Sequence, residues 1–215
     1  MISGAIFDVD GTLLDSMPVW HNCGVRYLES IGVKAEPGLG DFLFTQTNAS
    51  GAVYMVDHYG LDLSPEEVAD GMSRDMENYY FNSPEMKEGA AELLDRFEDA
   101  GIPMTVATST DKYLLDGAFR KLGIGHYFKA VLSCGDYGTT KGEPLIFNKA
   151  SEVMGTDPSE TWVFEDGLYA IKTASKAGFR TVAVYDKISS PDWEEMSMLA
   201  DEHVDKLSDF IEIQI

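Results

Sequence analysis

Residues Ile2–Ser16 read ISGAIFDVDGTLLDS. The stretch is apolar up to Phe7 and then breaks into Asp8 and Asp10, followed by Gly11 and Thr12. A short apolar run that ends in turn-forming residues predicts a buried strand with a carboxylate at its C-terminal tip. Outward from there the pattern recurs at Ile102–Thr108, Ala130–Ser133, Thr161–Glu165 and Phe179–Tyr185, with helix-periodic stretches between. Gly101, Gly123 and Gly178 stand where those helices should stop. Such alternation predicts an α/β fold, a parallel sheet with helices on both faces and a ligand site outside the carboxyl ends of the strands. Asp8, Thr108 and Glu165 would converge there.

Between Ser16 and Ser83 the alternation lapses and only helical signals remain. The expected organisation is therefore a core of residues 1–15 and 84–215, interrupted by a helical cap of residues 16–83. Ser64-Pro65-Glu66-Glu67 has the makings of a helix start, with an N-cap serine, proline at the first position and an acid three residues on. That helix should run to about Tyr80. An earlier helix from Pro18 should bury Val25, Leu28 and Ile31 on one face. The junctions at Leu14–Pro18 and Phe81–Pro84 are short, which suits a hinged lid. Pro191–Ile215 is acidic with scattered apolar residues and is expected only to end the core domain.

Composition narrows the partners. The 215 residues are 44% apolar and 25% charged, ordinary for a globular chain, but the formal net charge is −21. Nucleic-acid polymers are bound through clustered Lys and Arg, so a DNA or RNA partner is not expected. Wherever an anion binds, a local lysine or a metal ion must offset the acidity. Cys23 and Cys134 form no spaced metal or redox pair, and no signal segment or membrane-length apolar run is evident. A cytoplasmic protein, monomeric or weakly dimeric and with no membrane partner, is expected.

The string FDVDGTLLDS resembles the first motif of the haloacid dehalogenase superfamily. That resemblance implies a Rossmann-like core with an inserted cap, Asp8 as nucleophile and Asp10 as general acid and base. The family's second motif is similar to VATST, which implies phosphate binding by the Thr108 hydroxyl and the Ser109 backbone N–H. The third is similar to TTKGEPLIF, which implies that Lys141 neutralises Asp8 and the phosphoryl group. Here Gly142 and Glu143 separate the lysine from the proline that usually follows it. The fourth is similar to WVFEDG, which implies Mg²⁺ held by Asp8, the Asp10 carbonyl and Asp166, with Glu165 direct or through water. Gly167 stands where the family often has serine, and Ala170 where it often has glycine.

The residue types suit the chemistry. Phosphoryl transfer needs an in-line oxygen nucleophile, a proton donor for the leaving alkoxide and positive charge around the phosphoryl oxygens. The likeness covers nearly the whole chain and implies a Mg²⁺-dependent phosphatase of a small phosphorylated metabolite, working through an aspartyl-phosphate. Dehalogenases of the family lack the second aspartate and need no magnesium, so Asp10 and the Glu165-Asp166 pair point to a phosphate ester. Two alternatives stand beside this reading, a β-phosphoglucomutase-like mutase and a phosphate- or partner-binding protein that hydrolyses nothing. The mutases carry a cap histidine at the position of Trp20, whereas here His21 lies one residue later and about 100° around a helix. Trp20, Phe42, Phe44, Gln46, Asn48 and Tyr54 could line a substrate pocket, although such aromatic positions more often form cap core.

Overall fold

A computed structural model describes residues 2–214 of the chain. Strand β1 (Gly4–Phe7) is buried throughout and is followed by helices α1 (Met17–Ser30), α2 (Leu39–Phe44), α3 (Asn48–Tyr59) and α4 (Pro65–Asn82). Then come α5 (Ala90–Asp99), β2 (Met104–Thr108), α6 (Lys112–Leu122), β3 (Phe128–Ser133), α7 (Leu145–Met154) and β4 (Thr161–Glu165). The chain closes with α8 (Leu168–Lys176), β5 (Arg180–Val184), α9 (Trp193–Leu199), β6 (Glu202–Val204) and α10 (Leu207–Gln214). Among the described residues no helix is long and apolar enough to cross a membrane.

The strands form one parallel sheet in the order β3-β2-β1-β4-β5-β6. This is the α/β architecture expected from the alternation. Its two faces explain why the strands are apolar on both sides. Phe7 stacks on Phe164 at 4.6 Å between ring centroids, and Phe97 from α5 and Phe210 from α10 pack edge-on against Phe164. Ile6 and Val163 point the other way, into a cluster with Ile146, Phe147 and Ala150 from α7 and Ala174 from α8. Strand order reverses at β1, whose neighbours are β2 and β4, and such a switch point opens a crevice at the carboxyl end of the central strand.

The chain divides into two compact units, residues 1–15 with 84–215, and residues 16–83. In the second, Tyr27, Leu28, Leu39, Ala52, Met55, Val68 and Met72 form the core. Helices α1 and α4 approach closely because Gly71 has no side chain: a Cβ there would lie 2.0 Å from Tyr27 Cε2. Ser64 caps α4 as its sequence predicts, its hydroxyl accepting from Glu67 N at 3.2 Å while Ser64 N donates to Glu67 Oε2 at 2.8 Å. In the first unit the two ends of the interruption pair with each other. Asp15 N donates to Glu85 O and Lys87 N to Leu13 O, each at 2.9 Å, around an antiparallel bridge between Leu14 and Met86.

Three expectations need correction. Ile31 is 40% exposed, because the buried stripe of α1 runs through Gly24, Tyr27 and Leu28 and Ile31 is already the C-cap. Strand β2 begins at Met104 rather than Ile102, since Pro103 has no N–H to give to a ladder. The acidic C-terminal stretch holds a sixth strand, β6, which pairs with β5 from Val182↔Glu202 to Val184↔Val204.

Candidate active site

Strands β1 and β4 lie side by side, with Phe7 level with Phe164, so Asp8 emerges beside Glu165 and Asp166. The Asp8 backbone N–H donates to Phe164 O at 3.0 Å and fixes that adjacency. Lys141 arrives on the segment between β3 and α7, and its ammonium pairs with both Asp8 Oδ1 and Glu165 Oε1. The residues Gly142 and Glu143 therefore do not keep the lysine from the carboxylates. All four groups are nearly sealed from solvent, at 6% exposure for Asp8, 2% for Lys141, 2% for Glu165 and 5% for Asp166.

The remaining polar groups organise around them. Glu165 Oε2 accepts from Gly167 N at 3.0 Å, so both oxygens of Glu165 are engaged. Asp166 Oδ2 accepts from Ser189 Oγ at 2.7 Å. On the neighbouring strand, buried Thr108 accepts from Thr110 N through its hydroxyl at 3.0 Å, and Thr110 Oγ1 donates to Asp10 Oδ2 at 2.6 Å. Thr108 thus shapes the turn into α6, as a helix-start threonine does. Ser109, next to it, is exposed.

Burial sets the electrostatics. Desolvation raises the Asp8 carboxyl well above the ordinary carboxylate range; Lys141 pulls it down, and the charges of Glu165, Asp166 and Asp10 push it up again. Asp166 is pushed up to about 7 by burial and by Glu165, against the pull of the Ser189 hydrogen bond. For Lys141 burial works against the charged form, but Asp8 and Glu165 outweigh it and hold the ammonium firmly protonated. Were Asp8, Glu165 and Asp166 all ionised, the one ammonium beside them would leave two negative charges to be offset, which is why burial favours the neutral acid at Asp8 and Asp166.

That surplus is a fit test for a divalent cation. One oxygen each from Asp8, Glu165 and Asp166 lies within 4.8 Å of the others, and hard oxygen donors in a buried cluster suit Mg²⁺. Asp8 and Asp166 would hold the ion. Glu165, already engaged at both oxygens, is the less free of the three.

Comparison with known proteins agrees with the geometry. Residues 5–184 match the family described as haloacid dehalogenase-like hydrolase. The chain belongs to the haloacid dehalogenase-like hydrolases. Within them it is similar to the fructose-1-phosphate phosphatase YqaB of Escherichia coli, with 27% identity over 85% of this chain and 96% of that protein. A phosphoglycolate phosphatase of Neisseria meningitidis is 26% identical over 89% of this chain and 88% of its own length. In fold it resembles the crystal structure of β-phosphoglucomutase from Clostridium difficile, at a TM-score of 0.70 and 17% identity, covering 99% of this chain and 96% of that one. The family and the phosphatase class of enzyme expected from the motifs are thereby met.

For this haloacid dehalogenase-like hydrolase, motif reading passed over several residues of the site. Thr110 was legible only as a helix-start threonine, and Ser189 lies outside every motif, 23 residues from its partner Asp166. Tyr169, 56% exposed, lies over Gly167: a Cβ at Gly167 would stand 3.2 Å from Tyr169 Cε1, so the missing side chain makes room for the ring. In the helical unit, Trp20 Nε1 donates to the Tyr80 hydroxyl at 2.8 Å and His21 Nε2 pairs with Asp41 Oδ1 at 2.9 Å. Tyr54 packs partly buried against the unit's core, while Phe42, Phe44, Gln46 and Asn48 are exposed.

Proposed function

We propose that this enzyme is a Mg²⁺-dependent phosphatase that hydrolyses a small phosphorylated metabolite through a phosphoaspartate on Asp8. The observation that carries the reading is the buried set of Asp8, Lys141, Glu165 and Asp166 at adjoining strand tips, with the lysine ammonium between two carboxylates. Asp8 Oδ attacks phosphorus, the bond from phosphorus to the alcohol oxygen breaks, and Asp10 gives the departing alkoxide its proton. In the second half Asp10 takes a proton from water, the water oxygen attacks the phosphoaspartate, and Asp8 is released with inorganic phosphate. Thr110 orients the Asp10 carboxyl by its 2.6 Å hydrogen bond to Oδ2, leaving the other oxygen to carry the proton. Thr108 and the Ser109 N–H, with Lys141, bind the phosphoryl oxygens. When bound, Mg²⁺ supplies the positive charge that Asp8 and the substrate phosphate need to approach each other.

The partners inside the helical unit weigh against the mutase reading. Trp20 occupies the position of the mutase histidine and is tied to Tyr80, and His21 is tied to Asp41. A cytoplasmic location belongs to the same reading and is supported by Cys23 and Cys134, both free thiols.

The test is phosphate release from a panel of phosphorylated sugars, nucleotides and small acids, with Mg²⁺ or chelator, for wild type and Asp8→Asn. Release by wild type that disappears in both controls is expected and names the substrate class. Folded, Mg²⁺-bound wild type that releases nothing from any member of the panel would sink the phosphatase reading.

A further inference from the structure

Asp166 has an environment unlike that of its two neighbours. Asp8 and Glu165 are held by the Lys141 ammonium, and the second oxygen of Glu165 is held by Gly167 N. Asp166 is oriented instead by a hydroxyl from the segment that follows β5, Ser189 Oγ, at 2.7 Å on Oδ2. The turn that presents Ser189 is itself fastened. Asp186, 4% exposed, accepts from Ile188 N through Oδ1 and from Lys87 Nζ through Oδ2, both at 2.8 Å. Lys87 Nζ also donates to Tyr185 O at 2.8 Å, and its backbone N–H to Leu13 O at 2.9 Å. Hydrogen bonds therefore tie the segment just after Asp10 through Lys87 to Asp186 and Ile188, and the adjoining Ser189 carries the link on to Asp166.

We propose that Ser189 is a positioning residue for the metal carboxylate Asp166, and that Lys87 and Asp186 hold the turn that carries it. The proposal rests on the Mg²⁺ reading above. A carboxylate swings about its terminal torsion, and a ligand that must keep one oxygen toward an ion gains from a donor that pins the other. Gly167, next in the chain, has no side chain to do this. The Lys141 ammonium is committed to Asp8 and Glu165. With both oxygens of Glu165 engaged, Asp166 is the carboxylate whose orientation most decides whether a metal is held.

The experiment is calorimetric titration of Mg²⁺ into the metal-free full chain, for wild type, Ser189→Ala, Ser189→Thr and Lys87→Met, with the melting temperature of each metal-free protein as control. Ser189→Ala should raise the Mg²⁺ Kd about tenfold or more, in the range usual for partners of metal ligands, with a near wild-type melting temperature. Ser189→Thr, which keeps the hydroxyl, should restore most of the affinity, and Lys87→Met should weaken binding less than Ser189→Ala. An unchanged Kd in Ser189→Ala overturns the proposal while leaving the metal reading intact. Equal losses in Ser189→Ala and Ser189→Thr overturn it too, since bulk rather than the hydroxyl would then matter. Wild type that takes up no Mg²⁺ removes the metal reading itself, and this proposal with it.

Discussion

Each of the two units is stabilised internally by a different means. Every buried charged side chain among the described residues, Asp8, Lys141, Glu165, Asp166 and Asp186, lies in the sheet unit. The helical unit buries Tyr27, Leu28, Leu39, Ala52, Met55, Val68 and Met72, with Ser16 at its edge as a buried polar side chain. Burying charge costs stability unless each charge is paired, whereas an apolar core with flexible methionines tolerates change. The sheet unit thus concentrates its buried charges at the strand tips, where they depend on one another for compensation. The helical unit owes its shape to close contacts at Gly24 and Gly71, where a Cβ would meet Leu43 Cδ1 at 2.2 Å and Tyr27 Cε2 at 2.0 Å.

That contrast can be broken at several points. The largest effect is expected at Lys141: replacing it with Met leaves buried carboxylates without their cation. Chemical denaturation of the metal-free protein at pH 8 should show a loss of about 3–5 kcal/mol, together with loss of phosphate release. A variant as stable as wild type would mean that the charges at the strand tips do not depend on one another. Next is the pH response of the metal-free protein. The Asp166 carboxyl is raised from 3.8 to about 7, so it is protonated in the folded chain over a range where it is ionised in the unfolded one. Its contribution to stability is therefore full below pH 3.8 and is lost as pH rises through about 7, and Asp8 acts with the same sign. Melting temperatures from pH 5 to 8 should fall less steeply for Asp166→Asn than for wild type, and added Mg²⁺ should rescue wild type most at the high end. Parallel slopes would refute the assignment.

In the helical unit, Gly71→Ala should cost about 1–3 kcal/mol through overpacking against Tyr27. Hydrogen exchange should localise the loosening to α1 and α4. Faster exchange spread evenly over the sheet would show that the units are not energetically separate. The smallest effect is expected at Thr12, fully buried with no partner for its hydroxyl among the described residues. Thr12→Val keeps the shape and removes the unsatisfied oxygen, so stability should rise by about 1 kcal/mol, read as a higher denaturation midpoint. A drop would reveal an interaction of that hydroxyl.

Legibility followed the same division. Strands β1 to β5 could be read because each is a short apolar run ending in turn residues, and α4 because Ser64 and Glu67 form a reciprocal cap. Strand β6 could not, since Glu202, His203 and Val204 are too few and too polar to stand out from an acidic stretch. The acids at the strand tips stand in compact strings, so their meeting at one end of the sheet could be anticipated. Ser189 and Asp186 share one turn, Lys87 lies in a distant segment, and both stretches have ordinary compositions. Only the crossing order of the strands brings them beside Asp166. Within the helical unit the aromatic residues offered no pattern that separates Tyr54, packed on the core, from Phe42, 41% exposed.

The antiparallel bridge between Leu14 and Met86 makes the points of departure and return neighbours, and the sheet takes no strand from residues 16–83. The helical segment is therefore a graft on a closed scaffold, tied off at a single knot. A short turn joining Asp15 to Pro84 should leave the six-stranded sheet able to form, and a foreign helical segment could be spliced in at the same knot. Chimeras made there would show whether the sheet keeps its fold whatever segment is inserted.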